Sequence, residues 1–304
     1  ISSLRRLIKL IKRRSNWYIY AITFIVTGVL AALVSTILLN NFYESQKNDA
    51  TVNVSQPQGT AFTPDSTYNF SVLLTLSADA DKAPDKYMTV TYRATANTFV
   101  LMPYLSSTEL AGGTIKQICE QSGEAEVAKQ LSEKTGLTIN KYIRFTKSTL
   151  SELFDMVGNT TLTIPSEIKY ENKKDNTVTV IKQGTQIFTA DQMYTYLTLP
   201  DYGIKDELYP CKVLATAISA FIDQNFIGTG EKTLAEYMDF IINFTNTNIE
   251  QGDYDAKIKS ILYTLSQTGS SITDFYIPYG KKSGDNYVID DNSWKNVRQS
   301  AGIE

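Results

Sequence analysis

NFSVLLTLSADADKAPDKYMTVTYRATANTFVLMPY, residues 69–104, decides the architecture. Three of its runs, NFSVLLTLSA (69–78), YMTVTYRA (87–94) and TFVLMPY (98–104), are rich in apolar, β-branched and aromatic residues and read as strands. The first is nearly continuous in its apolar residues, as in a strand covered on both faces. The short ATAN link, residues 94–97, folds the second and third into a hairpin. The third run stops at Pro103-Tyr104 with Ser106 and Ser107 just beyond. Open α/β sheets place their ligands outside such carboxyl ends, so the question is what an end without a charge can hold.

Outward from this core, strands and helices alternate to the end of the chain. Helical patterns cover Thr114 to Glu120 and Glu124 to Gly136, and Gly136 suits the position after a helix. INKYIRFT (139–146) reads as a strand, and TLSELFDMVG (149–158) as a helix that Ser148 caps and Gly158 ends. TLTIPSEI (161–168) and VTVIKQG (178–184) are strands on either side of an NKKDNT turn. Helices follow at 190–197, 208–224, 231–245 and 253–267, then the strands ITDFYIPYG and NYVIDD, and a last helix at 293–299. No internal repeat or second linker interrupts the pattern. The expectation is a single α/β domain over residues 67–304, with a central, mostly buried β-sheet flanked by helices.

The other end of the chain is different. Trp17 to Leu39 is a stretch of 23 residues without a charge, preceded by Arg5, Arg6, Lys9, Lys12, Arg13 and Arg14. About 20 apolar residues suffice to span a bilayer, and basic residues stay on the cytoplasmic side. The sequence therefore predicts a basic cytoplasmic segment (1–16), one uncleaved membrane-spanning helix (17–39), a polar linker (40–66) and an extracytoplasmic body. Of 29 basic and 32 acidic residues, six basic and no acidic ones lie in residues 1–39, which leaves the rest at 23 − 32 = −9. An acidic body lacks the cationic footprint that nucleic acids require. The chain has no histidine, which removes Ser–His and Cys–His catalysis and the commonest metal ligand. Cys119 and Cys211 form no metal motif; a single bridge and two free thiols are both open readings.

Several motifs invite chemistry. GTGEKT (228–233) lacks full phosphate-loop spacing and is better explained as a helix start. Asp253 and Asp255 suit a helix N-terminus better than a metal site. Asn53, Asn69, Asn159 and Asn243 head glycosylation triplets that are read as unmodified, and the 19 tyrosines are more simply packing residues than sugar platforms. Asp79 and Asp85, in SADADKAPDK, could hold Mg²⁺ for phosphoryl chemistry, although loops are rich in Asp in any case.

Taken in order, five segments resemble the LytR–CpsA–Psr proteins of the bacterial cell envelope: NFSVLLTLSADAD, APDKYMTVTYRATANTFVLMPYLSS, YIRFTKSTLSELFDMVGNTTLTIPSEI, IKQGTQIFTADQMYTYL and ITDFYIPYG…YVIDD. The fourth keeps Gly184, Gln186, Gln192 and Tyr196 of the family pattern. The resemblance spans about residues 68–299 together with the N-terminal anchor. Family members generally transfer a polyprenyl-pyrophosphate-linked glycopolymer to peptidoglycan. They use Mg²⁺ held by Asp and arginines on the diphosphate, with the lipid tail in an apolar pocket between sheet and helices.

The family's acids match Asp79 and Asp85, but its arginines do not survive. Pro103-Tyr104-Leu105 stands where the family has Pro-Arg-Asp, and Thr198-Leu199-Pro200 where it has Arg-x-Arg. Tyr209 and Lys212 stand at an Arg-x-x-Arg, and Asp81 at a loop arginine. Tyr104 cannot neutralise a diphosphate, and a lysine is a point charge rather than a bidentate fork. The resemblance thus implies ligand positions at Tyr104, Thr198, Tyr209 and Lys212, catalytic or metal positions no firmer than Asp79 and Asp85, and no certain cofactor. It implies a catalytically impaired envelope protein that binds a polyprenyl lipid or cell-wall glycan, or acts as a scaffold beside an intact relative. The alternative is an active phosphotransferase in which Lys82, Lys86, Lys205 or Lys212 converges on Asp79 and Asp85. A purely structural ectodomain would instead have a filled core with no pocket.

Overall fold

The computed structural model describes residues 62–173, 176–267 and 269–303. The basic segment and the spanning helix expected at 17–39 lie outside the described residues, as does the linker up to residue 61. No helix among the described residues is long and apolar enough to cross a membrane. Phe62, inside the segment read as linker, packs edge-on against Tyr68 and Tyr263, with ring centroids at 5.7 and 6.0 Å.

The body is one α/β domain around a mixed six-stranded sheet. Its centre is β1 (Phe70–Leu76), β2 (Lys86–Arg93) and β3 (Thr98–Tyr104), the three runs of the opening segment. They pair antiparallel, with Leu76 opposite Lys86 and Tyr87 opposite Tyr104. The hairpin between β2 and β3 closes through Asn97 in the left-handed conformation, which Asn tolerates well. After β3 come the small strands β4 (Glu109–Leu110) and β5 (Gly113–Thr114), then α1 (Ile115–Thr135) and β6 (Ile139–Phe145). Strand β6 returns parallel to β1. The two helical segments expected between Thr114 and Gly136 are the two halves of α1, which meet at Gly123 in a non-helical conformation, φ 77° and ψ −179°, that glycine adopts without strain.

Helix α2 (Lys147–Val157) is capped by Thr146, not by Ser148. Thr146 and Thr149 bond reciprocally in a capping box, which satisfies two backbone donors at once, while the Ser148 hydroxyl turns to Glu152. The run at 161–168 divides at Pro165 into β7 (Thr160–Ile164) and β8 (Ile168–Asn172). Strand β8 pairs with β9 (Thr177–Ile181), and β7 with β10 (Gly184–Phe188), a strand the sequence reading did not separate from the preceding run. There follow α3 (Ala190–Thr198), α4 (Tyr209–Asn225), α5 (Glu231–Phe244), β11 (Asn246–Thr247), α6 (Gln251–Asp255) and α7 (Ile258–Leu265). The helix expected over 253–267 is thus two short ones. Strands β12 (Thr273–Phe275), β13 (Gly280–Ser283) and β14 (Asn286–Ile289) lead to α8 (Asp291–Ser300). The sheet order is β11-β6-β1-β2-β3-β12.

Alternation along β1 sends successive residues to opposite faces. Leu73 joins Val100, Met102 and Tyr104 in a core with α1 and α8, through Val127, Leu131, Trp294 and Val297. Leu76, Met88 and Leu101 join the other core, with Phe154, Met193, Leu214 and Phe221 from α2, α3 and α4. Cys119 lies in the core with α1 and α8, Cys211 sits on α4, and both are free, buried thiols.

Candidate functional site

The β1–β2 loop carries Asp79 and Asp85. Backbone contacts hold its ends: the Asp85 N–H donates to the Leu76 carbonyl at 3.0 Å, and the Ser77 N–H to the Phe145 carbonyl at 2.9 Å. Each carboxylate meets a lysine. Lys82 lies 2.8 Å from Asp79, and Lys116, in the first turn of α1, lies 3.1 Å from Asp85. The hydrogen bond to Asp79 holds the Lys82 ammonium above the usual lysine pKa. Tyr194, on α3, faces both carboxylates and also Lys147 and Lys82; burial first, then the two carboxylates, push its phenol up. Lys147 pairs with Asp191 at 3.0 Å and lies over the Tyr194 ring.

Beside Asp85 is a small cavity of about 120 Å³, walled by Lys86, Tyr104, Ser106, Cys211 and Leu214. Here the uncharged end of β3 finds its use. Tyr104 is buried, stacks on Trp294 and shares a 3.3 Å hydrogen bond with the Thr89 hydroxyl. Burial raises its pKa, so it is a neutral wall. Charge comes from Lys86 instead. Among the described residues its ammonium has no ion-pair partner, and loss of solvent pulls its pKa below the lysine norm despite Cys211 and Asp85 nearby. Burial pushes the Cys211 thiol up to about 12, so the sulfur stays protonated.

The other expected ligand positions are elsewhere. The Thr198 hydroxyl donates to the Tyr194 carbonyl at 2.7 Å, Tyr209 packs on Tyr202 at 5.3 Å, and Lys212 pairs with Asp206 at 2.7 Å. None of the three lines the cavity at Asp85. Arg144, the one arginine near this loop, is committed to structure. It pairs with the buried Glu124 beside the α1 kink and donates to the Ala80 carbonyl at 3.0 Å, tying helix, β6 and loop together.

Three lysines therefore gather at the two carboxylates: Lys82 and Lys86, adjacent to them in sequence, and Lys116, which sequence reading missed. Nothing in the α1 pattern signals that its first turn reaches Asp85. Among the described residues no group of three or more His, Cys, Asp or Glu side chains could hold a metal ion. Each carboxylate already carries a lysine, so a Mg²⁺ there would have to displace both ammonium groups.

Below this site, between the sheet and α2–α7, lies a cavity of about 550 Å³ with an overwhelmingly apolar wall. It runs beneath β1 past Phe70, Val72, Leu74 and Leu76, which at roughly 3.3 Å per residue gives a length of about 20 Å. Leu214 is shared with the small cavity at Asp85 and separates the two spaces.

No family model and no curated protein matches the chain. Solved structures do. A Eubacterium siraeum protein described as a candidate transcription regulator is 78% identical, with a TM-score of 0.79, over 83% of this chain and 98% of that one. TagV of B. subtilis is similar at 15% identity and a TM-score of 0.62, over 77% of this chain and 95% of its own. TagT, solved bound to LI-WTA, is similar at 12% identity and a TM-score of 0.58, over 82% and 96%. TagV and TagT are LytR–CpsA–Psr proteins. The chain belongs to one family with the Eubacterium siraeum protein, and its fold is the LytR–CpsA–Psr fold.

Proposed function

We propose that this protein is a membrane-anchored, extracytoplasmic member of the bacterial cell envelope that binds a lipid-linked ligand of cell-wall glycopolymer assembly, with its transfer chemistry impaired. The carrying observation is the 550 Å³ apolar cavity under β1. It lies within the size range of single-ligand pockets, roughly 300–1,000 Å³, and its wall suits a hydrocarbon chain. A purely structural domain would have filled this space with side chains. The LytR–CpsA–Psr fold and its cell-wall glycopolymer transferases support the setting. Impairment is supported by the site's donors. Lysines are point charges, and the guanidinium forks that would clamp a diphosphate are missing; the nearest, Arg144, is held by Glu124. The acidic body argues against the nucleic-acid role suggested by the description of the Eubacterium siraeum protein. Native mass spectrometry of the detergent-extracted full chain tests the reading. A co-purifying polyprenyl lipid is expected; a lipid-free chain that also captures no envelope partner would count decisively against it.

A second reading, active transfer from a rearranged site, has one observation in its favour: Lys82, Lys86 and Lys116 around Asp79 and Asp85. The test is phosphate release from a prenyl pyrophosphate with and without Mg²⁺. Release abolished by Asp85→Ala establishes transfer, and no release supports impairment.

A further inference from the structure

Strands β7 to β10 form a two-stranded ribbon, with β7 and β10 paired at its base and β8 and β9 at its tip. One face of the ribbon packs on the body through Leu162, Ile164, Ile168, Ile181 and Phe188. The edges of its four strands are treated differently. Gln224 covers β7: its side chain accepts from the Thr161 N–H and donates to the Thr161 carbonyl, both at 2.8 Å. Strand β8 carries the ion pair of Lys169 and Glu171, at 2.7 Å. The Gln186 side chain of β10 folds back to donate to the Lys182 carbonyl. Charges and side-chain covers of this kind keep edge strands from pairing with other chains. Strand β9 has neither. It reads Thr177-Val178-Thr179-Val180-Ile181, β-branched at every position and without charge or proline. Among the described residues, no hydrogen bond reaches Val178–Ile181 except those of the β8 ladder. Val178 and Val180 are 53% and 48% exposed, on the ribbon face they share with Glu171 and Lys169 opposite them.

We infer that β9 is an interaction edge whose partner is β9 of a second copy of this chain, the two strands antiparallel about a two-fold axis at Thr179. A two-fold contact sets one patch against itself, so the patch must be self-complementary. This strand is. Centred on Thr179, antiparallel pairing puts Val178 of each copy opposite Val180 of the other and Thr179 opposite Thr179. It is the one register in which both exposed valines meet valines. A centre at Val178 would set Val180 against Asn176, and a centre at Val180 would set Val178 against Lys182. Strand addition takes its affinity from main-chain hydrogen bonds that a bare edge leaves unmade. The product is a four-stranded sheet in the order β8-β9-β9-β8, and sheets of three or more strands are more stable than an isolated pair. Two five-residue strands bury far less than the roughly 1,600 Å² of a standard interface, so the association is weak and reversible. The inference does not rest on the lipid reading of the cavity.

Oxidative cross-linking of the detergent-extracted full chain tests this. Directly opposed residues of an antiparallel pair lie within disulfide reach, so Thr179→Cys should give a reducible dimer whose yield rises with protein concentration. Cys119 and Cys211 are buried, so the unsubstituted chain should give none. Thr163→Cys, exposed on β7, should stay at that background. Charges then check the register within the Thr179→Cys chain. Val178→Lys with Val180→Lys sets like charges opposite each other and should lower the yield about tenfold. Val178→Lys with Val180→Glu sets opposite charges there and should leave it within roughly twofold. Thermal melting reports whether each variant folds, and Val178→Glu with Val180→Glu substitutes if the double lysine variant does not. A Thr179→Cys chain that stays monomeric, a Thr163→Cys chain that cross-links equally well, or yields that ignore the sign of the charges each overturn the inference. None of these outcomes touches the lipid reading, which co-purification decides separately.

Discussion

The two faces of the central sheet carry the same kind of residue and do opposite things. On one face Leu73, Val100 and Met102 meet α1 and α8, and the space is filled. On the other, at alternate positions of β1, Val72, Leu74 and Leu76 line a cavity. Alternating apolar residues therefore establish that both faces are covered, but not that both are packed. The difference lies in the covers. On the filled side the two halves of α1, broken at Gly123, lie on the sheet, whereas the opposite cover is assembled from the separate helices α2–α7.

The comparison can be broken or sharpened by mutation. The largest effect is expected at the tie that fixes the filled side to the loop of Asp79. Glu124→Ala leaves the partly buried Arg144 with the Ala80 carbonyl but without its carboxylate, and should cost about 3 kcal/mol in urea unfolding. Next come the two faces themselves. Leu73→Ala should cost about 2–5 kcal/mol, as for a close-packed leucine, and Leu74→Ala distinctly less, since its side chain already borders empty space. Enlarging these residues should reverse the order of tolerance: Leu73→Phe overpacks at about 1–3 kcal/mol, while Leu74→Phe fills the cavity and lowers lipid affinity. Equal costs for the pair would mean that the void collapses in solution. Smaller still, Thr75 is buried on the filled side with an unpartnered hydroxyl, so Thr75→Val should raise stability by about 1 kcal/mol in the same unfolding assay.

The smallest prediction concerns pH. Desolvation lowers the folded pKa of Lys86, so between that value and the unfolded one, about 10.4, the unfolded chain binds more protons. The stability contribution of Lys86 therefore rises with pH through this alkaline window. Lys86→Met should remove the rise, which melting temperatures measured from neutral to alkaline pH would reveal. A variant with an unchanged slope would show that the ammonium is better solvated than its surroundings imply.

Much of the fold was legible in the chain because local rules wrote it. Strands β1, β2 and β3, the turn at Asn97 and the helix ends at Gly136 and Gly158 follow from apolar runs and glycine or asparagine in left-handed positions. The misreadings were competitions between equivalent local signals. Thr146 displaced Ser148 as a cap because only Thr146 has a reciprocal partner at Thr149, and Pro165 split one apparent strand into two. Of the candidate residues, Asp85 and Tyr104 line one cavity, whereas Lys116 is invisible in the sequence because it arrives from a helix thirty-one residues away.

By itself, the sequence determined which segments form the central strands and that the sheet is buried on both faces. These are properties of residue type and short-range order, which the chain carries without folding. Tertiary structure alone decided that Lys116 reaches Asp85 and that a cavity remains beneath β1 on one face of the sheet. Each of those depends on how far distant helices stand from the sheet, and that distance is set by the simultaneous packing of many side chains rather than by any local pattern.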